Sequence, residues 1–325
     1  MTAREQLWYL INGVLAGSYE VSTFCDEFYR IYNFETDKTK LTEQEKNEFE
    51  ELFCMVARFS DFEEDLKIPG VFYNGEEILA KVREVQKLKC WRAHYKDAQH
   101  DVDIEITNTV VPSCEEKPIR FEVDGIRFCA SDISCIYLAE EAQYQEAAEK
   151  FHILKLGGNT VDGRKLPYWY ELQQYELAVE MPIQMVRKKD KEEVEGTLSL
   201  SYQYVAEVSD FAIFVEGKNY HSDEKTLVFW KALNNLSAKM KEEYFIKSCF
   251  TCQYAEYSPY GEDYYGTMLC YKDCKKECLK VHNKDDYFEY LDGKDCDVRQ
   301  ETYVCEEYQI RNKSCGYRGF VEGVN

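Results

Sequence analysis

Cys249 and Cys252 form a C-x-x-C pair, and Cys270, Cys274, Cys278, Cys296, Cys305 and Cys315 follow, so eight of the fourteen cysteines fall in the last quarter of the chain. Two thiolates at that spacing reach a single ion, and two later cysteines close a tetrahedral zinc site. Seventeen residues separate the pair from Cys270, and thirty-four separate Cys270 from Cys305. With Cys249 and Cys252 they make the expected ligand set for a structural zinc. Cys274, Cys278, Cys296 and Cys315 compete for the same role. Cys270, Cys274 and Cys278 have the spacing of one helical face, but theirs is not the C-x3-C-x2-C of radical iron–sulfur enzymes. Free buried thiols are the alternative, since unpaired cysteine is a common core residue. A catalytic metal is disfavoured, because such sites recruit histidine or carboxylate and keep a position open. His94, His100, His152, His221 and His282 form no paired motif. A redox C-x-x-C lacks the strand–helix setting of a thioredoxin-like fold.

Other catalytic signatures are missing. There is no G-x-G-x-x-G, no G-x-x-x-x-G-K-[ST] and no G-x-S-x-G, and Gly157-Gly158 reads as a turn. No enzyme is expected; the alternative is a metal- or thiol-dependent enzyme centred on the cysteine tail. The charge says more. The chain has 61 acidic against 40 basic residues, a net charge of −21. The excess is spread along the whole length, which repels nucleic acid and attracts basic protein surfaces. The densest acid is Glu43, Glu45, Glu48, Glu50 and Glu51, then Asp61, Glu63, Glu64 and Asp65. Taken one by one, these residues also fit the solvated face of an amphipathic helix.

The elements that must hold these residues are of two kinds, an α+β class. Residues 1–90 carry helical spacing: Leu7, Trp8, Ile11, Val14 and Leu15 after the capping box Thr2-x-x-Glu5, then Val21, Phe24, Phe28 and Ile31 after Gly17-Ser18. Ser18 is placed to cap that second helix. Thr42-x-x-Glu45 opens a third, with Phe49, Leu52, Phe53, Val56 and Phe59, and Ile78, Val82, Val85 and Leu88 follow the Pro69-Gly70 turn. Four such helices predict an antiparallel bundle. Residues 91–240 turn to period two. Ile119 to Val123 meets Asp124-Gly125 and then Ile126-Arg-Phe, a strong hairpin signal. Leu177 to Met185 and Leu198 to Tyr204 alternate on either side of a charged turn, and helical spacing returns over 223–240. A mostly antiparallel β domain is expected there, followed by a zinc-stapled cysteine module over 241–325. No run of about 18 apolar residues exists. Asn12 and the lack of a cleavage pattern make the N-terminus an ordinary helix, so a cytoplasmic protein with reduced thiols is expected.

The first ninety residues resemble the colicin D immunity-like family. The likeness lies in the Phe24–Phe28 helix, in Phe49-Glu-Glu-Leu-Phe-Cys-Met-Val-Ala-Arg-Phe59, in Asp61-Phe-Glu-Glu-Asp65 and in Glu77-Ile-Leu-Ala-Lys-Val-Arg. The tail, with C-x-x-C, Tyr257-Ser-Pro-Tyr-Gly261, Gln300-Glu-Thr-Tyr and Gly316-Tyr-Arg-Gly319, resembles a family of uncharacterised bacterial proteins with no established activity. The first resemblance implies a bacterial immunity protein that blocks a nuclease toxin by occupying its basic active-site surface, without catalysis. The expected partner is thus a cognate toxin protein, with no nucleic acid and no membrane. The nine acidic residues named above are the expected contact face.

Overall fold

The computed structural model describes residues 2–41, 43–86, 90–108, 117–158, 160–161, 164–165, 167–204, 206, 208–226, 228–261, 265–305, 307–312, 316–317 and 321. The chain divides into two compact units, residues 1–90 with 107–109, and residues 91–106 with 110–325. Among the described residues, no helix is long and apolar enough to cross a membrane.

The first unit is helical. Helix α1 (Ala3–Leu15) opens on the expected capping box: Glu5 N donates to Thr2 Oγ1 at 3.2 Å, and Thr2 N donates to Glu5 Oε2 at 2.9 Å. Gly17 takes φ +71°, and Ser18 N reaches back to Gly13 O at 2.9 Å. That pair of features closes α1 as a Schellman turn. Ser18 therefore finishes the first helix instead of capping the second, because α2 (Val21–Phe34) starts from Glu20 with no side-chain cap. Helix α3 (Glu43–Val56) follows; Thr42, its expected cap, lies outside the described residues. A single turn, α4 (Glu63–Leu66), precedes α5 (Gly75–Gln86), where Asn74 and Glu77 exchange reciprocal 2.9 Å capping bonds. Leu7, Ile11, Phe24, Phe28, Phe49, Leu52, Ile78 and Val82 are fully buried in one core. Burying each such side chain stabilises by roughly 1.5–3 kcal/mol, and this core is what holds four helices of modest length together.

The second unit is built on one large sheet. Its strands are β1 (Cys90–Lys96), β2 (Asp101–Asn108), β3 (Ile119–Val123), β4 (Ile126–Asp132), β5 (Cys135–Leu138), β6 (Ile153–Gly157), β9 (Tyr168–Leu172), β10 (Glu176–Arg187), β11 (Glu193–Gln203), β12 (Val208–Val215), β13 (Lys218–His221) and β14 (Tyr244–Ile246). The order is β13-β12-β11-β10-β1-β2-β3-β4-β5-β9-β6, with β14 added to β10, and a separate ribbon joins β7 (Thr160–Val161) to β8 (Arg164–Lys165). The predicted hairpin is present: Val123 pairs with Ile126, and Asp124 and Gly125 both take positive φ. The long hairpin β10–β11 keeps Leu177, Val179, Met181, Ile183, Met185, Leu198 and Leu200 on the buried face. Helix α7 (Phe229–Met240) lays Phe229, Leu233 and Leu236 into that core, with Phe229 against Phe211 at 5.2 Å. Helix α6 (Tyr144–Lys150) adds Ala147. It is too short and too polar to show a hydrophobic period.

The cysteine-rich tail shares this core. Tyr254, Tyr271, Val281, Tyr287 and Leu291 are buried together with the sheet residues. The tail's own scaffold is a small sheet, β15-β16-β17 (Ala255–Glu256, Met268–Cys270, Asp297–Arg299), with α8 (Lys275–Cys278) and α9 (Lys284–Tyr290). Cys270, Cys274 and Cys278 do not share a helical face: Cys270 ends a strand, Cys274 closes a 3-10 turn and Cys278 ends α8. Buried at the centre of the tail is an ion pair between Arg311 and Glu256, both fully inaccessible. Arg311 Nη1 also donates to Ala255 O at 2.9 Å and Cys252 O at 3.3 Å.

Candidate functional site

The predicted acidic residues do not all lie on the surface. Glu45 is 3% exposed: Arg4 donates to both of its carboxylate oxygens at 2.9–3.0 Å, and Trp8 Nε1 donates to Oε1 at 2.8 Å. It anchors α3 to α1 from inside, so it leaves the contact face. A helix period brings one acidic position in a dense run onto the buried side, and here two donors from α1 compensate its charge. Glu48 and Glu51 both accept from Lys81 of α5. Glu50 accepts from Lys38 at 3.0 Å and from the Tyr32 hydroxyl at 2.8 Å, and these bonds hold its carboxyl below the ordinary value. The side chain of Glu43 lies outside the described residues.

Asp61, Glu63 and Glu64 are different. They are exposed and sit on a loop whose neck is closed by backbone bonds. Ser60 N donates to Tyr73 O at 3.1 Å and Tyr73 N to Arg58 O at 3.0 Å, while the Arg58 guanidinium stacks on the Tyr73 ring at 4.8 Å. Inside the loop, Ser60 Oγ donates to Asp65 Oδ2 at 2.8 Å and accepts from Phe62 N at 3.1 Å. Asp65 thus folds the loop instead of facing outward. A segment of this length pinched at its ends is an Ω-loop, a form that frequently carries function. Its tip exposes Phe62 (73%), Leu66 (37%), Ile68 (48%) and Val71 (40%) among the acids. Sequence reading marked the acids and missed the apolar set. The signal was there, in apolar residues spaced as neither a helix nor a strand ahead of Pro69-Gly70.

The four predicted zinc ligands sit on three stretches of the tail that backbone pairing joins. Cys249 and Cys252 flank a 3-10 turn (Cys249–Thr251), Cys270 ends β16, and Cys305 follows the buried Gln300-Glu301 segment. Cys249, Cys252 and Cys270 are buried, and Cys305 is half-buried. The Cys249 thiol is pushed well up, first by burial and then by the charges of Cys270, Cys252 and Cys305. A thiol so disfavoured as thiolate is a poor nucleophile. Among the described residues, no three His, Cys, Asp or Glu side chains already stand at metal-binding separation. Cys315 lies outside the described residues.

Two features of this unit were not read from the sequence. The exposed face of β2, β1, β10, β11 and β12 forms a groove of about 670 Å³, lined by Arg92, His94, Asp103, Ser199, Ser201 and His221 among others. His94 Nδ1 meets Asp103 at 2.8 Å and Nε2 meets Asp101 at 2.9 Å. Those bonds, Asp103's first, raise its pKa. Both ring nitrogens are occupied, so His94 is not placed for general-base work. The other feature is Glu301 in the Gln300-Glu-Thr-Tyr motif. It is fully buried and accepts from Gly266 N and the Tyr257 hydroxyl, each at 2.8 Å. Burial outweighs these donors and pushes its carboxyl up to about 8. Asp132, also raised by burial, accepts from the adjacent Tyr265 N at 2.9 Å. Two carboxyl groups therefore accept from consecutive amides.

No curated protein matches the chain, and no solved structure matches it. One family does match, over residues 89–255, a span holding the large sheet, its groove and the C-x-x-C pair. By that match the chain belongs to a family of unknown function, DUF6304.

Proposed function

We propose that this chain is a bacterial immunity protein, acting in the cytoplasm, that binds and neutralises a cognate nuclease toxin without catalysis. The observation that carries the reading is the loop tip at 61–71, where exposed Phe62, Leu66, Ile68 and Val71 stand among Asp61, Glu63 and Glu64. Exposed aromatic and aliphatic anchors are what protein interfaces use for affinity, and a loop fixed at its neck loses little freedom on binding. The acids select a basic partner and accelerate its approach, and the net charge of −21 reinforces the same field. A nuclease presents such a basic surface where it holds phosphate. The resemblance of residues 1–90 to the colicin D immunity-like family supports the toxin class. The mechanism is steric and electrostatic occlusion, and it calls for neither nucleic acid nor membrane.

Co-expression tests the reading. Cells producing the toxin encoded beside this gene should survive when they also produce the wild-type chain, and should die when they produce a Phe62→Ala/Glu63→Lys/Glu64→Lys variant of equal abundance. Survival that is the same with the variant, or absent with the wild type, removes the proposed role.

A further inference from the structure

We infer that Cys249, Cys252, Cys270 and Cys305 bind one zinc ion in a closed, structural site, independently of the partner proposed above. Three separate stretches of chain are brought to one point by backbone pairing. Cys249 N donates to Tyr303 O at 2.7 Å and Phe250 N to Glu301 O at 3.1 Å, which ties the C-x-x-C turn to the segment ahead of Cys305. Beyond Cys305, Cys252 bridges Ile310, and Gln253 N donates to Gln309 O at 2.9 Å. Ala255 pairs directly with Cys270, which sets the third sulfur beside the strand that leaves Cys252. Packing hydrophobic residues around a tail does not call for four thiols at such a junction, and tetrathiolate zinc does.

Burial raises the thiols of Cys249 and Cys270, and two local groups oppose it. The backbone N–H of Lys272 donates to Cys270 Sγ, an amide two residues on from the cysteine. The Arg299 guanidinium is nearly buried and acts electrostatically on both Cys249 and Cys270. Four thiols binding Zn²⁺ release four protons and leave a dianionic centre, which a neighbouring cation offsets. The competing cysteines are engaged as thiols. Cys274 Sγ donates to Asp295 O and Cys278 Sγ to Gln253 O, each at 3.6 Å, while Cys296 is exposed. Among the described residues no three His, Cys, Asp or Glu side chains stand at metal-binding separation, so the proposed site requires the four sulfurs to move together when metal binds. A closed set of four protein ligands leaves no position for substrate, so the ion staples the tail.

Elemental analysis of the full chain, purified under reducing conditions, should find about one zinc per chain. Cobalt loading should give the charge-transfer absorption of a tetrathiolate centre. Cys249→Ser and Cys305→Ser should each lower bound metal at least about tenfold, whereas Cys274→Ser and Cys296→Ser should retain it. Metal-free wild-type protein with all four thiols open to alkylation, or with a disulfide among them, overturns the inference. So does metal lost from the Cys274 or Cys296 variant and kept in the other two. If the Cys249 or Cys305 variant does not fold, the cobalt spectrum of the wild type decides: absence of thiolate bands refutes the site.

Discussion

Glu301 shows how a single buried group makes stability depend on pH. Its folded carboxyl titrates at about 8 against an ordinary 4.5. The folded chain therefore keeps a proton that the unfolded chain gives up between those values. Where the native state binds more protons, stability falls as pH rises. Unfolding midpoints should drop between about pH 5 and pH 8, with a slope of at most about 1.4 kcal/mol per unit from this group. Glu301→Gln should flatten that profile in denaturant titrations, and an unchanged profile would mean that Glu301 is ionised in the fold. The second residue-scale test concerns Glu256 and Arg311. Truncating one partner of a buried ion pair costs about 3–5 kcal/mol, so Arg311→Ala should lower the denaturation midpoint sharply. Gly316 belongs to the same group, since it holds φ +64° and a Cβ there would run into both Glu256 and Arg311. The motifs Gln300-Glu-Thr-Tyr and Gly316-Tyr-Arg-Gly were visible in the sequence as patterns. The burial of Gln300, Glu301 and Gly316 was not, because nothing local separates a buried glutamate from the many exposed ones.

At the scale of elements, local rules told most of the story where the forces are local. The capping box at Thr2, the Asp124-Gly125 hairpin and the alternation over Leu177–Met185 all depend on neighbours within a few residues, and the structure contains each. Ser18 was misread because a turn closing one helix and a cap opening the next use the same residue types. The convergence of Cys249 with Cys305 depends on pairing across more than fifty residues, which spacing suggests but cannot place. Glu45 and Phe62 lie close in sequence and are separated in role by burial alone. Glu45→Ala should cost the first unit about 2–3 kcal/mol, the scale of lost charged hydrogen bonds, and leave the intrinsic association rate of the folded fraction unchanged. Phe62→Ala should behave oppositely, with thermal stability preserved and affinity for the partner reduced by about 2 kcal/mol or more. Calorimetric melting and titration of the two variants would separate these effects; a binding defect in the first with none in the second would reverse the assignment.

For the molecule as a whole, the charge is the property with the longest reach. Paired carboxylates such as Glu48 and Glu50 contribute little beyond a Debye length, about 8–10 Å at physiological salt. A net charge of −21 still biases encounter with any cationic surface. The family match runs over residues 89–255, the large-sheet part of the second unit, while the loop offered as the contact belongs to the helical unit. The most direct test of the central claim is therefore the association rate of the full chain with the toxin encoded beside its gene, measured across ionic strength. The account predicts fast association at low salt that slows as salt rises, and a loss of about tenfold or more in rate for Asp61→Lys/Glu63→Lys/Glu64→Lys at low salt. An absence of binding, or a rate indifferent to both salt and those three substitutions, would contradict it.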